Sequence, residues 1–169
     1  FYYYDIPGMT GIGGFPVDAF LQAASPVIPN LAGVKYSNPD LDAMRRAQAL
    51  EGGRFDLPFG VDERFLAALR AGATAGVGST YNFNPGPLQR VIAAHAKGDA
   101  ALAEAEQAKV QPVVDILAKR GYMGAAKALM GHLGVPLGPA RLPNGNPDAA
   151  ETKQMLGELE AIGFFSWNF

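Results

Sequence analysis

Within its first 98 residues the chain repeats one pattern four times: a short apolar run, a cluster of turn residues, then a segment with apolar residues at helical spacing. The aromatic run Phe1 to Tyr4 has the pattern of a buried strand stopped by Asp5-Ile6-Pro7-Gly8, and after Pro16 the residues Val17, Phe20 and Leu21 mark a helix that ends by Pro26. Ala32 to Tyr36 precedes Asn38-Pro39 and a helix from about Asp40 to Leu50, with Leu41, Met44 and Ala47 on one face. Phe55 to Val61 is the third run. Asp62-Glu63 opens its helix, which carries Phe65, Leu66 and Leu69 and stops at Gly72. Ala75 to Gly78 is the fourth run, before Ser79-Thr80 and a helix from roughly Gly86 to Ala96.

Consecutive strand-then-helix units predict right-handed crossovers in a parallel sheet, because each helix must cover the face its strand exposes. A closed (β/α)8 barrel takes eight such units and about 250 residues, so the four units of residues 1–98 amount to half of one. The rest, residues 99–169, is helical rather than alternating. Ala101 to Arg120, Ala125 to Leu133 and Ala149 to Ile162 read as three helices, divided by Gly121 and the Pro/Gly-rich run Gly134 to Pro147. The expected fold class is therefore α/β, four parallel βα units of a TIM barrel or of a doubly wound sheet, followed by a three-helix appendage.

Composition narrows the function. With 49% hydrophobic and 18% charged residues the chain has the make-up of a folded domain, and its net charge of -2 offers no basic footprint for nucleic acid or an anionic membrane. No apolar run approaches the roughly 18 residues a bilayer span requires. Cysteine is absent, which excludes disulfide and thiolate chemistry, and the two histidines, His95 and His132, lie in separate helical segments, so a built-in transition-metal site is not expected. Gly11-Ile12-Gly13-Gly14 lacks the strand-then-helix context of a phosphate-binding loop and reads as a flexible connection. The Ala/Glu/Lys-rich stretch from Ala100 to Lys109 reads as a solvated helix face.

In parallel α/β folds, sites form at the carboxyl ends of strands. Lys35 falls inside the apolar segment Leu31 to Tyr36. An ammonium in a buried strand must be paired, neutral or chemically employed, and a neutral amine attacks carbonyl carbon to form a Schiff base. The alternative is a strand-end lysine that reaches water along its stem. Tyr4 closes the first run and offers a phenol for proton transfer, whereas Tyr2 and Tyr3 read as aromatic packing. Ser37, Gly60, Asp62, Glu63 and Ser79 stand at the other strand ends. Their alternatives are loop and cap roles for the serines, a plain turn for Gly60, and dipole complementation for Asp62-Glu63.

Four motifs then occur in order: Tyr4-Asp5-Ile6-Pro7, Gly33-Val34-Lys35, Phe59-Gly60-Val61-Asp62-Glu63 and Gly78-Ser79-Thr80-Tyr81-Asn82, followed by Pro136-Leu137-Gly138-Pro139-Ala140-Arg141-Leu142-Pro143. In this order they resemble the N-acetylneuraminate lyase family, pyruvate-dependent class I aldolases of the dihydrodipicolinate synthase superfamily. The resemblance implies a (β/α)8 barrel with three C-terminal helices, of which this chain is the C-terminal half. It implies Lys35 as the Schiff-base lysine and Tyr4 as the proton-shuttling tyrosine. Ser37, Gly60, Asp62, Glu63 and Ser79 match positions that bind the sugar chain. The implied reaction is reversible cleavage of N-acetylneuraminate to N-acetylmannosamine and pyruvate, without a cofactor or metal. The implied setting is a cytoplasmic homotetramer with small-molecule partners only, and neither nucleic acid nor membrane.

Dihydrodipicolinate synthases typically carry an arginine in the loop after the first motif, where this chain has Pro7-Gly8-Met9-Thr10. That difference, with Asp62-Glu63, favours a polyhydroxylated substrate over an amino acid. Other pyruvate-dependent sugar-acid aldolases, a dihydrodipicolinate synthase-like enzyme and a non-catalytic sugar-acid binder remain the alternatives. The family's N-terminal half, with the loop that grips the pyruvate carboxylate, has no counterpart in this sequence. The resemblance thus implies a piece of a longer protein, short of the contacts that orient the ketone and expected to be weakly binding or inactive alone.

Overall fold

The structure, a computed structural model, describes residues 1–13 and 15–167; Gly14 of the glycine-rich connection lies outside the described residues. The chain divides into two compact units, Phe1–Gly78 and Ser79–Phe169.

The first unit is built on parallel strands. β1 (Tyr2–Asp5) pairs with β2 (Gly33–Tyr36) in a register that sets Tyr4 beside Lys35 and Asp5 beside Tyr36. The third expected strand continues the ladder as separate bridges. Asp56 N–H donates to Ala32 O (3.1 Å) and Gly60 N–H to Tyr36 O (2.8 Å), while Val34 N–H donates to Asp56 O and Tyr36 N–H to Pro58 O (both 2.9 Å). Pro58 supplies no N–H midway between Asp56 and Gly60, so the ladder is interrupted where a regular strand would donate once more. The fourth run is shorter still: Phe59 N–H donates to Ala75 O at 2.9 Å and Val77 N–H to Phe59 O at 2.8 Å. All four segments are therefore parallel neighbours in chain order, as the alternation predicts, but only two are continuous strands.

Four helices follow the first three segments: α1 (Pro7–Thr10) and α2 (Val17–Ala24) after β1, α3 (Leu41–Gln48) after β2, and α4 (Phe65–Arg70) after the third, entered through a 3-10 turn at Asp62–Arg64. Asp40 caps α3 by accepting from Ala43 N–H at 2.9 Å. Leu21, Val34, Tyr36, Met44, Phe59 and Phe65 are each at most 2% exposed and form the core of this unit. Each buried side chain of this size contributes about 1.5–3 kcal/mol.

β1 departs from the expected buried aromatic strand. Phe1, Tyr2 and Tyr4 are 60%, 48% and 43% exposed, because among the described residues β1 has one sheet neighbour and an open outer edge. Tyr3 packs as expected, its ring 4.3 Å from that of Phe20. Tyr2 does not. Its hydroxyl donates to the Asp56 carboxylate at 3.0 Å near the surface.

The second unit is helical: α5 (Pro85–Lys97), α6 (Ala100–Gln107), α7 (Val110–Ala118), α8 (Tyr122–His132), α9 (Ala149–Ala161) and α10 (Phe164–Trp167). The single helix expected over Ala101 to Arg120 is two, α6 and α7. Pro112 explains the break, since its ring opposes the carbonyl of Ala108, four residues earlier, and its nitrogen cannot donate there. Phe83, Val113, Leu117, Leu129, Met155, Leu159 and Phe164 form the core. Asp99 caps α6, and Asp148 with Glu151 forms a capping box at the start of α9. The stretch read as a solvated face hides one carboxylate. Glu106 is 6% exposed and is paired with Arg90 at 2.9 Å and Lys109 at 2.7 Å. His95 and His132 are exposed. No helix among the described residues is long and apolar enough to cross a membrane.

Candidate active site

The β1–β2 register brings two of the predicted residues into contact. Paired residues on neighbouring parallel strands project to the same face, so Tyr4 and Lys35 share it. Lys35 Nζ lies over the Tyr4 ring, 4.3 Å from its centroid, within range of a cation–π contact for the protonated amine. Lys35 itself is half-buried rather than sealed in a core, while Val34 and Tyr36 on either side face inward and are fully buried. Strand alternation thus separates the face that carries Lys35 from the packed one.

Ser37, two residues beyond Lys35, rises from the same face, and its Oγ donates to Tyr4 Oη at the long distance of 3.5 Å. Gly60 completes this group by what it lacks. A Cβ there would overlap Ser37 Oγ and stand 3.2 Å from Lys35 Cε, so only glycine leaves both side chains where they are. Tyr4, Lys35, Ser37 and Gly60 therefore form one cluster at the carboxyl ends of three adjacent parallel segments.

Asp62 and Glu63 lie just past the third segment, in the first turn of the 3-10 helix, where negative charge suits the helix N-terminus. Asp62 is 5% exposed and Glu63 is half-buried. The Asp62 carboxylate packs directly on Gly78, so closely that a Cβ at Gly78 would overlap it. Ser79 begins the second unit, exposed, with its hydroxyl 2.8 Å from that of Tyr122 at the start of α8. The structure gathers the first four residues and sets Asp62 against the fourth segment; Ser79 belongs to a contact inside the other unit.

Two neighbours escaped the sequence reading. Asp5, at the end of β1, is 8% exposed and its carboxylate accepts from Asn38 Nδ2 at 3.0 Å. Burial pushes its pKa up from the ordinary 3.8, and the Asn38 hydrogen bond opposes that shift. Tyr122 is the other, and nothing in its local sequence marks it as a partner of Ser79.

A family model described as the Dihydrodipicolinate synthetase family matches residues 2–162. The chain belongs to that family. Among related sequences, the N-acetylneuraminate lyase of Gallus gallus is 39% identical over 165 residues, covering 96% of this chain and 53% of the relative. That of Rattus norvegicus is 34% identical over 170 residues, covering 99% and 53%. Of solved family structures, Proteus mirabilis N-acetylneuraminate lyase matches with a TM-score of 0.90 at 36% identity, covering 96% of this chain and 55% of that one. The native N-acetylneuraminate lyase from Aliivibrio salmonicida gives 0.89 at 34% identity, covering 96% and 54%. The chain spans about half the length of the curated relatives it matches. The expected likeness to this family is thus met.

Proposed function

We propose that this chain carries the Schiff-base chemistry of an N-acetylneuraminate lyase, with residues 1–98 as the C-terminal half of a (β/α)8 barrel and residues 99–169 as its helical extension. The observation that carries this reading is the Lys35 amine over the Tyr4 ring at adjacent strand ends, in a chain whose relatives are named N-acetylneuraminate lyase.

In its neutral form the Lys35 amine attacks the C2 ketone of the open-chain sugar acid. Loss of water gives an iminium that accepts the electron pair of the breaking C3–C4 bond. Tyr4 takes the proton from the C4 hydroxyl as the aldehyde of N-acetylmannosamine forms, then returns it to the pyruvate enamine. Water hydrolyses the resulting imine and releases pyruvate. The iminium on Lys35 is the electron sink, so the chemistry calls for no metal or cofactor.

Ser37 sits within reach of the Tyr4 hydroxyl and helps hold it toward the reacting carbon. The backbone carbonyl of Gly60 and the carboxylates of Asp62 and Glu63 accept hydrogen bonds from the sugar hydroxyls, a task acceptor-only groups suit. Ser79 is assigned to the sugar tail on resemblance. A cytoplasmic homotetramer is the assembly this reading implies.

Calorimetry with N-acetylneuraminate on the longer protein that this reading implies, paired with an assay of released pyruvate, tests the reading. Turnover to pyruvate is expected, whereas binding heat without pyruvate contradicts a lyase. Substituting Glu63→Gln separates the substrate classes: the loss is expected to be larger with N-acetylneuraminate than with a short pyruvate-derived aldol, and equal losses refute a role on the sugar tail.

A further inference from the structure

Asp5 is a buried carboxylate that the proposed chemistry does not use. Burying a charge is costly, and an aliphatic side chain would fill the end of β1 without that cost. What the carboxylate does is hold a loop. It accepts from Asn38 Nδ2 at 3.0 Å, while the Asp5 carbonyl accepts from Ser37 N–H at 2.8 Å. Asn38 is held from the other side as well, because its Oδ1 accepts from Asp40 N–H at 3.1 Å and Asp40 caps α3. The loop from Ser37 to Asp40 is thereby fixed to the end of β1 at one side and to the start of α3 at the other.

Ser37 is the member of this loop that reaches the reacting cluster. Its Oγ lies in the space Gly60 leaves open and donates to Tyr4 Oη. At 3.5 Å that contact has no slack, and a small movement of the loop removes it. We propose that Asp5 and Asn38 are positioning residues for the Lys35–Tyr4 pair: their hydrogen bond sets the loop that aims Ser37 at the Tyr4 phenol. This rests on the proposed Schiff-base role of Lys35. Neither residue touches the reacting atoms.

The test is the rate at which borohydride traps pyruvate on the longer protein that the proposed function implies, measured over a range of pyruvate concentrations. Asn38→Ala and Asp5→Ala are expected to lower the limiting trapping rate by about tenfold, because misplacing a reacting group by a fraction of an ångström costs rate. The half-saturating pyruvate concentration is expected to stay within about twofold, since the lysine remains open to ketone. Asp5→Asn, whose amide oxygen still accepts from Asn38, is expected to rescue most of the rate, and circular dichroism checks that each variant is folded. Folded Asn38→Ala and Asp5→Ala proteins that trap at the wild-type limiting rate overturn the positioning role while leaving the Schiff base standing. A wild-type protein that traps nothing overturns the Schiff-base reading, and the positioning role with it.

Discussion

Gly60→Ala isolates the geometry of the reactive cluster from the stability of the sheet. The new Cβ would lie 3.2 Å from Lys35 Cε and overlap Ser37 Oγ. Ordinary carbon contacts are about 3.5–4.0 Å, so the lysine stem must retreat by roughly half an ångström, and Ser37 must leave its rotamer and give up Tyr4. The stability cost is small, about 1 kcal/mol, the sum of a rotamer change and one weak exposed hydrogen bond. The functional cost is larger. A misplacement of about 1 Å can cost on the order of a hundredfold in rate, so half of that predicts about tenfold slower pyruvate trapping. Gly33→Ala supplies the contrast, because there the Cβ would collide with the backbone of Asp56, which no side-chain rotation relieves. It is expected to cost about 3 kcal/mol by forcing two strands apart. Urea unfolding and borohydride trapping on both variants form the assay. Gly60→Ala trapping at the wild-type rate, or losing as much stability as Gly33→Ala, would refute the reasoning.

Asp5 has a raised pKa in the folded chain, so its contribution to stability is fully present below the ordinary value of 3.8 and is lost as pH rises through the higher folded value. Asp5→Asn is therefore expected to raise the thermal midpoint at neutral pH, and that gain should disappear in acid; a gain that grows in acid contradicts the assignment. Glu106 behaves in the opposite sense. Burial pushes its pKa up, but hydrogen bonds from Lys109 and Arg90 outweigh burial and hold it below the ordinary 4.5. Its contribution is present above 4.5 and lost as pH falls through the lower folded value, so Glu106→Gln should lower the melting temperature near neutral pH and make little difference in strong acid.

Much of the first unit is legible in the sequence because each strand-to-helix transition is punctuated by Pro, Gly or Asp, and because strand alternation fixes which residues share a face. That rule sets Lys35 and Ser37 on one face, whereas Tyr4 joins them only through the β1–β2 register. Pro58 and Pro112 are equally visible, but their effects depend on partners: a missing donor matters only where Val34 and Tyr36 supply a ladder, and a ring clash only where Ala108 precedes it in a helix. The exposure of Tyr2 and Tyr4 could not be read from composition, since an aromatic run looks the same on a central strand and on an edge. The Asp5–Asn38 bond spans 33 residues and the Ser79–Tyr122 contact 43. Both depend on strand register and helix placement, which no local pattern encodes.

The most direct measurement is peptide mapping by mass spectrometry after the longer protein that the proposed function implies is incubated with pyruvate and borohydride. A single reduced pyruvate adduct on the peptide containing Lys35, absent from Lys35→Ala, is the predicted result. An adduct that persists in Lys35→Ala, or none on the wild-type protein, would contradict a Schiff base at this lysine.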